Sequence, residues 1–247
     1  MTAPEWITPD WPAPAQVKAA ATLRTGGVSE GTFASLNLGA HVGDDANAVA
    51  ENRRLLKAAL QLPAEPTWLN QVHGTTVVAA AAEPGSRPSA DASVAFGPGA
   101  VCVVLTADCL PVLLCDRAGT RVAAAHAGWR GLVGGVLAEA IEALAVSPAE
   151  LLAWLGPAIE QDAFEVGPEV LEQFAARDPN NAAAFTPNAR GRWQADLYQL
   201  ARNELNRLGV SCVHGGGFRC FADSERFFSY RREPRTGRMA TLVWLAR

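Results

Sequence analysis

The chain has 247 residues, 49% of them hydrophobic, with 21 lysines and arginines against 25 aspartates and glutamates, for a formal net charge of −4. A chain of this length and composition can bury a full core as one domain, and its slight acidity gives no electrostatic reason to expect nucleic acid or an anionic membrane as a partner. Small molecules are the expected ligand class. No run approaches the roughly 18 apolar residues of a membrane span, and the first residues carry Glu5 and Asp10 where a secretory leader would have basic and then apolar segments. The five cysteines, Cys102, Cys109, Cys115, Cys212 and Cys220, are odd in number and lack CxxC spacing, which argues against a disulfide framework. The expectation is a cytoplasmic, monomeric protein with reduced, mostly buried thiols.

Val17 to Arg24 reads as a first strand, closed by the turn Thr25-Gly26-Gly27. The polar, glycine-punctuated segment from Ser35 to Asp45, with Asn37 and His41 in it, has the composition of a loop, either a capped connection or a working one. Asp45 is placed to cap a helix from Ala46 to Leu60 whose apolar stripe is Val49, Leu56 and Leu60. Arg53 lies on that stripe, so its guanidinium faces the body of the protein and needs a partner, either a structural carboxylate or a substrate phosphate. Trp68 to Gly74 reads as a strand ending at a glycine, which puts His73 where a side chain leaves the sheet. Ala90 to Ala95 and Val101 to Leu105 follow as strands.

Leu110 to Cys115 and Arg121 to Ala125 are short apolar runs joined by Asp116-Arg117-Ala118-Gly119, the composition of a hairpin turn. A turn centred between Arg117 and Ala118 sets Cys109 directly opposite His126, and directly opposed residues share a face. A bulge at Gly119 would slip this by one residue. A thiol and an imidazole at one spot suggest a metal or a nucleophile. After His126, Gly128-Trp129-Arg130-Gly131 leads into the helical stripe Leu132, Val133, Val136, Leu137, Ala140, Ile141 and Leu144. The start of that helix, with Arg130 beside it, makes an anion site.

Ser147-Pro148-Ala149-Glu150 has the spacing of a capping box and leads into the apolar segment Leu151 to Leu155. Pro168 to Arg177 and Asp196 to Leu208 read as helices, the second closed by Gly209. Met239 to Leu245 is a last strand, preceded by an arginine-rich turn from Tyr230 to Arg238 that reads mostly as a solvated hairpin with one arginine in reach of the site.

Taken in order, SLNLGAHVGDD, AENR, WLNQVHG, TADCLPVLL, AAHAGWRG, WLGPAI, FEVG, FFSYRR and TGR make the chain resemble the YfiH-type laccase-domain family, also named multicopper polyphenol oxidases. The resemblance spans nearly the whole chain. It implies a single α+β domain of mixed β-sheets flanked by helices, akin to the cysteine hydrolase fold of cytotoxic necrotizing factors. It also implies a zinc ion bound by His73, Cys109 and His126, and phosphorolysis of adenosine, inosine and methylthioadenosine with adenosine deamination as a second activity. Arg53, Asn37 and Arg130 are the candidate substrate and phosphate residues. Two positions depart from the family pattern: Glu160 and Phe221 stand where Gly and Thr are usual.

Three N/S ligands with an open fourth position are the arrangement of a catalytic zinc. A four-copper oxidase needs on the order of ten histidines, whereas this chain has His41, His73, His126 and His214. A single copper remains an alternative, since a His₂Cys set is also the blue-copper pattern, with Met1 and Met239 as the available axial residues. The further alternatives are a Cys109/His126 amidase acting on muropeptide precursors and a zinc-binding module without catalysis.

Overall fold

The computed structural model describes residues 3–80 and 87–246. In chain order its elements are β1 (Trp6–Ile7), β2 (Val17–Thr22), α1 (Ala46–Ala59), β3 (Val77–Ala79), β4 (Ala92–Ala95), β5 (Val101–Thr106), β6 (Leu110–Asp116), β7 (Val122–Ala127), α2 (Trp129–Gly134) and α3 (Val136–Leu144). There follow β8 (Leu151–Leu155), β9 (Glu165–Val166), α4 (Pro168–Arg177), β10 (Phe185–Pro187), β11 (Trp193–Ala195), α5 (Leu197–Arg207), β12 (Cys212–Gly215) and β13 (Met239–Leu245). They form a four-stranded sheet in the order β1-β2-β13-β5, a six-stranded sheet in the order β12-β8-β6-β7-β4-β3, and a small sheet β10-β11-β9.

The two large sheets lie face to face. Leu113, Cys115, Val122, Ala124, Leu152 and Trp154 of one pack with Val17, Ala21, Cys102, Val104, Val243 and Leu245 of the other. The outer face of the four-stranded sheet, through Val101, Val103, Leu105, Leu242 and Trp244, is covered by Leu56 of α1 together with Leu36, Leu38 and Trp68. The outer face of the six-stranded sheet carries Leu110, Val112, Leu114, Ala123 and Ala125 against Val136, Leu137, Ala140 and Leu144 of α3 and Leu200 and Leu205 of α5. With both faces of both sheets covered, β5, β6, β7, β8 and β13 are buried at every position. That explains why these strands read as continuous apolar runs and not as the alternating pattern of a half-solvated sheet.

α1 is capped as expected: Asp45 accepts from the N–H groups of Asn47 and Ala48. Four expectations need correction. The long helix after His126 is two helices, broken at Gly135, whose φ of 105° ends α2 and turns the chain into α3. Ser147 makes no side-chain cap, and Pro148–Glu150 is a single 3₁₀ turn into β8. Residues 68–74 form no strand; here the chain makes isolated bridges, Thr67 with Cys102 of β5 and Asn70 with Ser89. Finally, β6 and β7 pair Leu110 with Ala127 and Pro111 with His126, so continuing the ladder sets Cys109 against Gly128 and not His126.

The hairpin register shifted because the Asp116 carboxylate accepts from the N–H groups of Thr120 and Arg121 and from the Thr120 hydroxyl, stabilising a longer loop centred one residue later. The resulting slip is even, and an even slip leaves every side chain on its original face. Cys109 and His126 therefore still share a face.

The candidate metal centre and its cavity

The chain leaves the four-stranded sheet at Thr106 and enters the six-stranded one at Leu110. It crosses through Asp108, a non-glycine residue at φ 87°, and this crossing delivers Cys109 to the open end of the β6–β7 hairpin. His126 stands on β7 at the same end. His73 comes from the irregular 71–74 segment and is itself left-handed, at φ 60°, a conformation that costs a non-glycine residue of order 1–3 kcal/mol unless its surroundings hold it.

Asp91 holds it. This fully buried carboxylate accepts from the backbone N–H groups of Val72, His73 and Gly74. Its Oδ1 also lies 2.8 Å from His126 Nδ1. One carboxylate thus fixes the turn that carries one histidine and the ring of the other. Burial would push the Asp91 carboxyl up, but the His126 hydrogen bond and the backbone donors outweigh it and hold the group below its ordinary value. With both oxygens engaged, Asp91 orients the site and is not a free proton shuttle.

The donor atoms of His73, Cys109 and His126 all lie within 4.8 Å of one another, and Cys109 Sγ is 3.7 Å from His73 Nε2. The residues fit a metal ion on three grounds. The donors are one thiol and two imidazoles, a set suited to zinc or copper. His126 has the carboxylate partner that metal-binding histidines commonly use to fix ring and tautomer. Gly128 leaves the space open, since a Cβ there would stand 3.0 Å from both Cys109 Sγ and His73 Cδ2. Electrostatics agree: burial favours the neutral thiol, but the imidazoles of His126 and His73 prevail and bring Cys109 down to about 6. His126 is opposed by burial but raised to about 9 by the Cys109 thiolate and Asp91.

The cluster forms one wall of a cavity of about 400 Å³ whose other walls include His41, Asp108, Arg130, Tyr230, Arg231 and Arg238. Burial raises the Asp108 carboxyl, against the Arg231 N–H that it accepts. Arg130 lines the cavity. Arg53 and Asn37 do not line it. Arg53 donates through Nε and Nη2 to the Leu38 carbonyl and stacks over Trp68 at 3.9 Å; burial brings it down to about 10. Its hydrogen-bond partner is thus the Leu38 carbonyl, in the loop before α1, and not a carboxylate. Asn37 is buried and saturated by Gly39, Asp44 and the Arg238 N–H. The density of arginine in the turn from Tyr230 to Arg238 predicts one arginine in reach of the site without saying which; the structure brings two, Arg231 and Arg238.

Of the remaining histidines, His214 lies on β12 beside Cys212. Met239 is buried, and its Sδ accepts from the Phe228 N–H; Met1 lies outside the described residues. All five cysteines are free. Glu160 accepts from the N–H groups of Phe221 and Ala222, so the two positions that depart from the family pattern touch each other, outside the cavity lining.

Residues 18–246 match the family described as multi-copper polyphenol oxidoreductase laccase. The chain belongs to that family. It is 58% identical over 241 residues to a purine nucleoside phosphorylase of Pseudomonas aeruginosa, covering 97% of this chain and 98% of that one. It is 53% identical over 239 residues to the purine nucleoside phosphorylase YfiH of Escherichia coli, covering 97% and 98%. A crystal structure of a Neisseria meningitidis protein superposes with a TM-score of 0.95 at 54% identity, over 98% of this chain and 99% of that one. YlmD of Geobacillus stearothermophilus superposes at 0.91 with 28% identity, over 98% and 96%. The mixed α+β fold is therefore shared across the family, and among the described residues no helix is long and apolar enough to cross a membrane.

Proposed function

We propose that this chain is a zinc-dependent purine nucleoside phosphorylase that converts adenosine, inosine or methylthioadenosine and phosphate to free base and ribose 1-phosphate, acting as a cytoplasmic monomer. The observation that carries the reading is the pairing, in one cavity, of a three-donor metal cluster with three guanidiniums, Arg130, Arg231 and Arg238, none of which has a carboxylate partner among the described residues. Unpaired cations lining a cavity favour an anionic substrate, and the names of the relatives supply the nucleoside. His73, Cys109 and His126 would hold the metal, which when bound supplies a Lewis acid for charge stabilisation.

The rest is done by the protein's own groups. The arginines hold phosphate against the nucleoside, turning a bimolecular encounter into a positioned one, and their charge stabilises the anion as the glycosidic bond loosens. Ile159 and Leu105 give the cavity an apolar stretch of wall. Adenosine deamination is proposed as a second activity; with Asp91 engaged, Asp108 is the carboxyl group in the cavity wall that can exchange a proton with substrate.

The deciding experiment incubates the metal-loaded protein with inosine, with and without phosphate, and separates the products. Hypoxanthine formed in the presence of phosphate alone supports the phosphorylase; no nucleoside turnover together with copper-dependent phenol oxidation would replace it with the oxidase. A second reading, a cysteine amidase of the cysteine hydrolase type, is favoured by one observation: Cys109, His126 and Asp91 are also in the order of nucleophile, base and orienting carboxylate. Metal removal separates the two, since a chelator would free the amidase thiolate and silence the phosphorylase.

A further inference from the structure

The three cavity arginines are not equivalent. Arg130 is exposed and stacks on its neighbour Trp129, 4.4 Å from the ring centroid. Arg231 is exposed and has both terminal nitrogens on the carbonyls of Ala163 and Glu165. Arg238 is partly buried, and Nη1 alone is committed, to the carbonyls of Thr236 and Gly237. That leaves Nε and Nη2 without a protein acceptor among the described residues.

Its placement is built by the loop of residues 37–41. The Asn37 side chain accepts from the Arg238 N–H, and Leu38 N–H donates to the Arg238 carbonyl at 3.2 Å. The stem of Arg238 then lies over Gly39, where a Cβ would stand 2.8 Å from Arg238 Cγ and 3.1 Å from Cβ. Both clashes are with the root of the side chain and not its mobile end, so a side chain at position 39 would displace the guanidinium. The same loop brings His41 to the cavity beside Arg238. Burial first, and then the charges of Arg238, Arg87 and Arg53, hold the His41 imidazole down. Cys109 and Asp108 line the same cavity.

We propose that Arg238, with His41 beside it, is the anchor for the phosphate co-substrate, and that Asn37 and Gly39 are positioning residues that aim it. This rests on the phosphorylase reading. It replaces Arg53 and Asn37 as phosphate contacts: Asn37 acts through Arg238, and Arg53 holds the Leu38 end of the same loop. A partly buried guanidinium with free Nε and Nη2 matches the fork geometry by which arginine takes two phosphate oxygens.

The test is initial-rate kinetics at saturating inosine with phosphate varied. Arg238→Met keeps the apolar stem over Gly39 and removes the charge; it should raise the phosphate KM at least about tenfold, the scale of a lost charge-assisted hydrogen bond, with the inosine KM within about twofold of wild type. Gly39→Ala should move the phosphate KM in the same direction while the arginine is still present, a split that a loss of stability would not produce. An unchanged phosphate KM in folded Arg238→Met overturns the anchor, whatever the inosine kinetics. If the wild-type protein cleaves no nucleoside, the phosphorylase reading fails, and phosphate binding is then read directly from the ³¹P line width of inorganic phosphate. Broadening in wild type that is lost in Arg238→Met supports the anion site, and equal broadening in both refutes it.

Discussion

Cys212 and His214 stand two residues apart on β12 and bring Sγ and Nε2 to 3.2 Å, closer than the 3.7 Å between Cys109 Sγ and His73 Nε2. Distance alone would make the first pair the better site. Yet it comes from one edge strand, where residues two apart share a face automatically, and among the described residues no third donor joins it. In the second cluster each donor arrives from a different segment. Asp91 holds two of those segments at once, and Gly128 leaves the middle empty. A site is recognised by what surrounds and orients its donors, not by one short contact.

The largest effect that could break this comparison is on metal content. Cys109→Ser and His126→Ala should lose nearly all bound zinc by elemental analysis, whereas Cys212→Ser and His214→Ala should keep the wild-type amount. Equal loss in both sets would make the two pairs equivalent. Next in size is Asp91→Asn, which leaves every donor in place and removes the orienting charge; metal affinity by competition with a chelating dye should fall about 10–100-fold.

Thiol reactivity sharpens the comparison in the metal-free protein. Cys109 is held down to about 6 by the imidazoles against the burial that opposes them, so iodoacetamide should label it with a midpoint near that pH. The sign follows from linkage: a depressed thiol contributes stability that is complete above its ordinary value and is lost as pH falls through about 6. For His126 the contribution is complete below the ordinary imidazole value and is lost as pH rises through about 9. The melting temperature of the metal-free protein should therefore exceed that of Cys109→Ser at neutral pH and converge with it below pH 6. The smallest effect expected is that of Gly128→Ala, which should weaken metal binding less than Asp91→Asn and cost about 1–3 kcal/mol in denaturant unfolding, the scale of overpacking.

Much of the fold was legible in the chain. The capped helix α1, the strands β5, β6, β7 and β13, and the helices α4 and α5 stand where apolar pattern and cap residues put them. The hairpin differs from the expected register but not in face, because the side-chain alternation survives an even slip. What misled were signals whose outcome depends on distant partners. Ser147 and Glu150 have capping-box spacing, but Leu151 is claimed by the ladder with β6 and Leu152 by the ladder with β12. Arg53 has the pattern of an inward cation in want of an anion, and the Leu38 carbonyl meets it.

By itself the sequence determined most element types and the shared face of Cys109 and His126, since both are set by neighbours within a turn or a pleat; His73 joined them as a candidate donor only through the resemblance to the family. It determined the family as well, through motifs spread from Ser35 to Arg238. The tertiary structure alone decided that Asp91 serves both histidines, that His73 leaves an irregular segment in a left-handed conformation, and that Arg231 and Arg238 share a cavity with Cys109. Those facts depend on the order in which strands join two stacked sheets: β13 pairs with β5, and so the end of the chain is brought beside the crossing at Asp108. No local pattern encodes a contact of that sequence separation, because the free energy that selects it comes from burying both faces of both sheets at once.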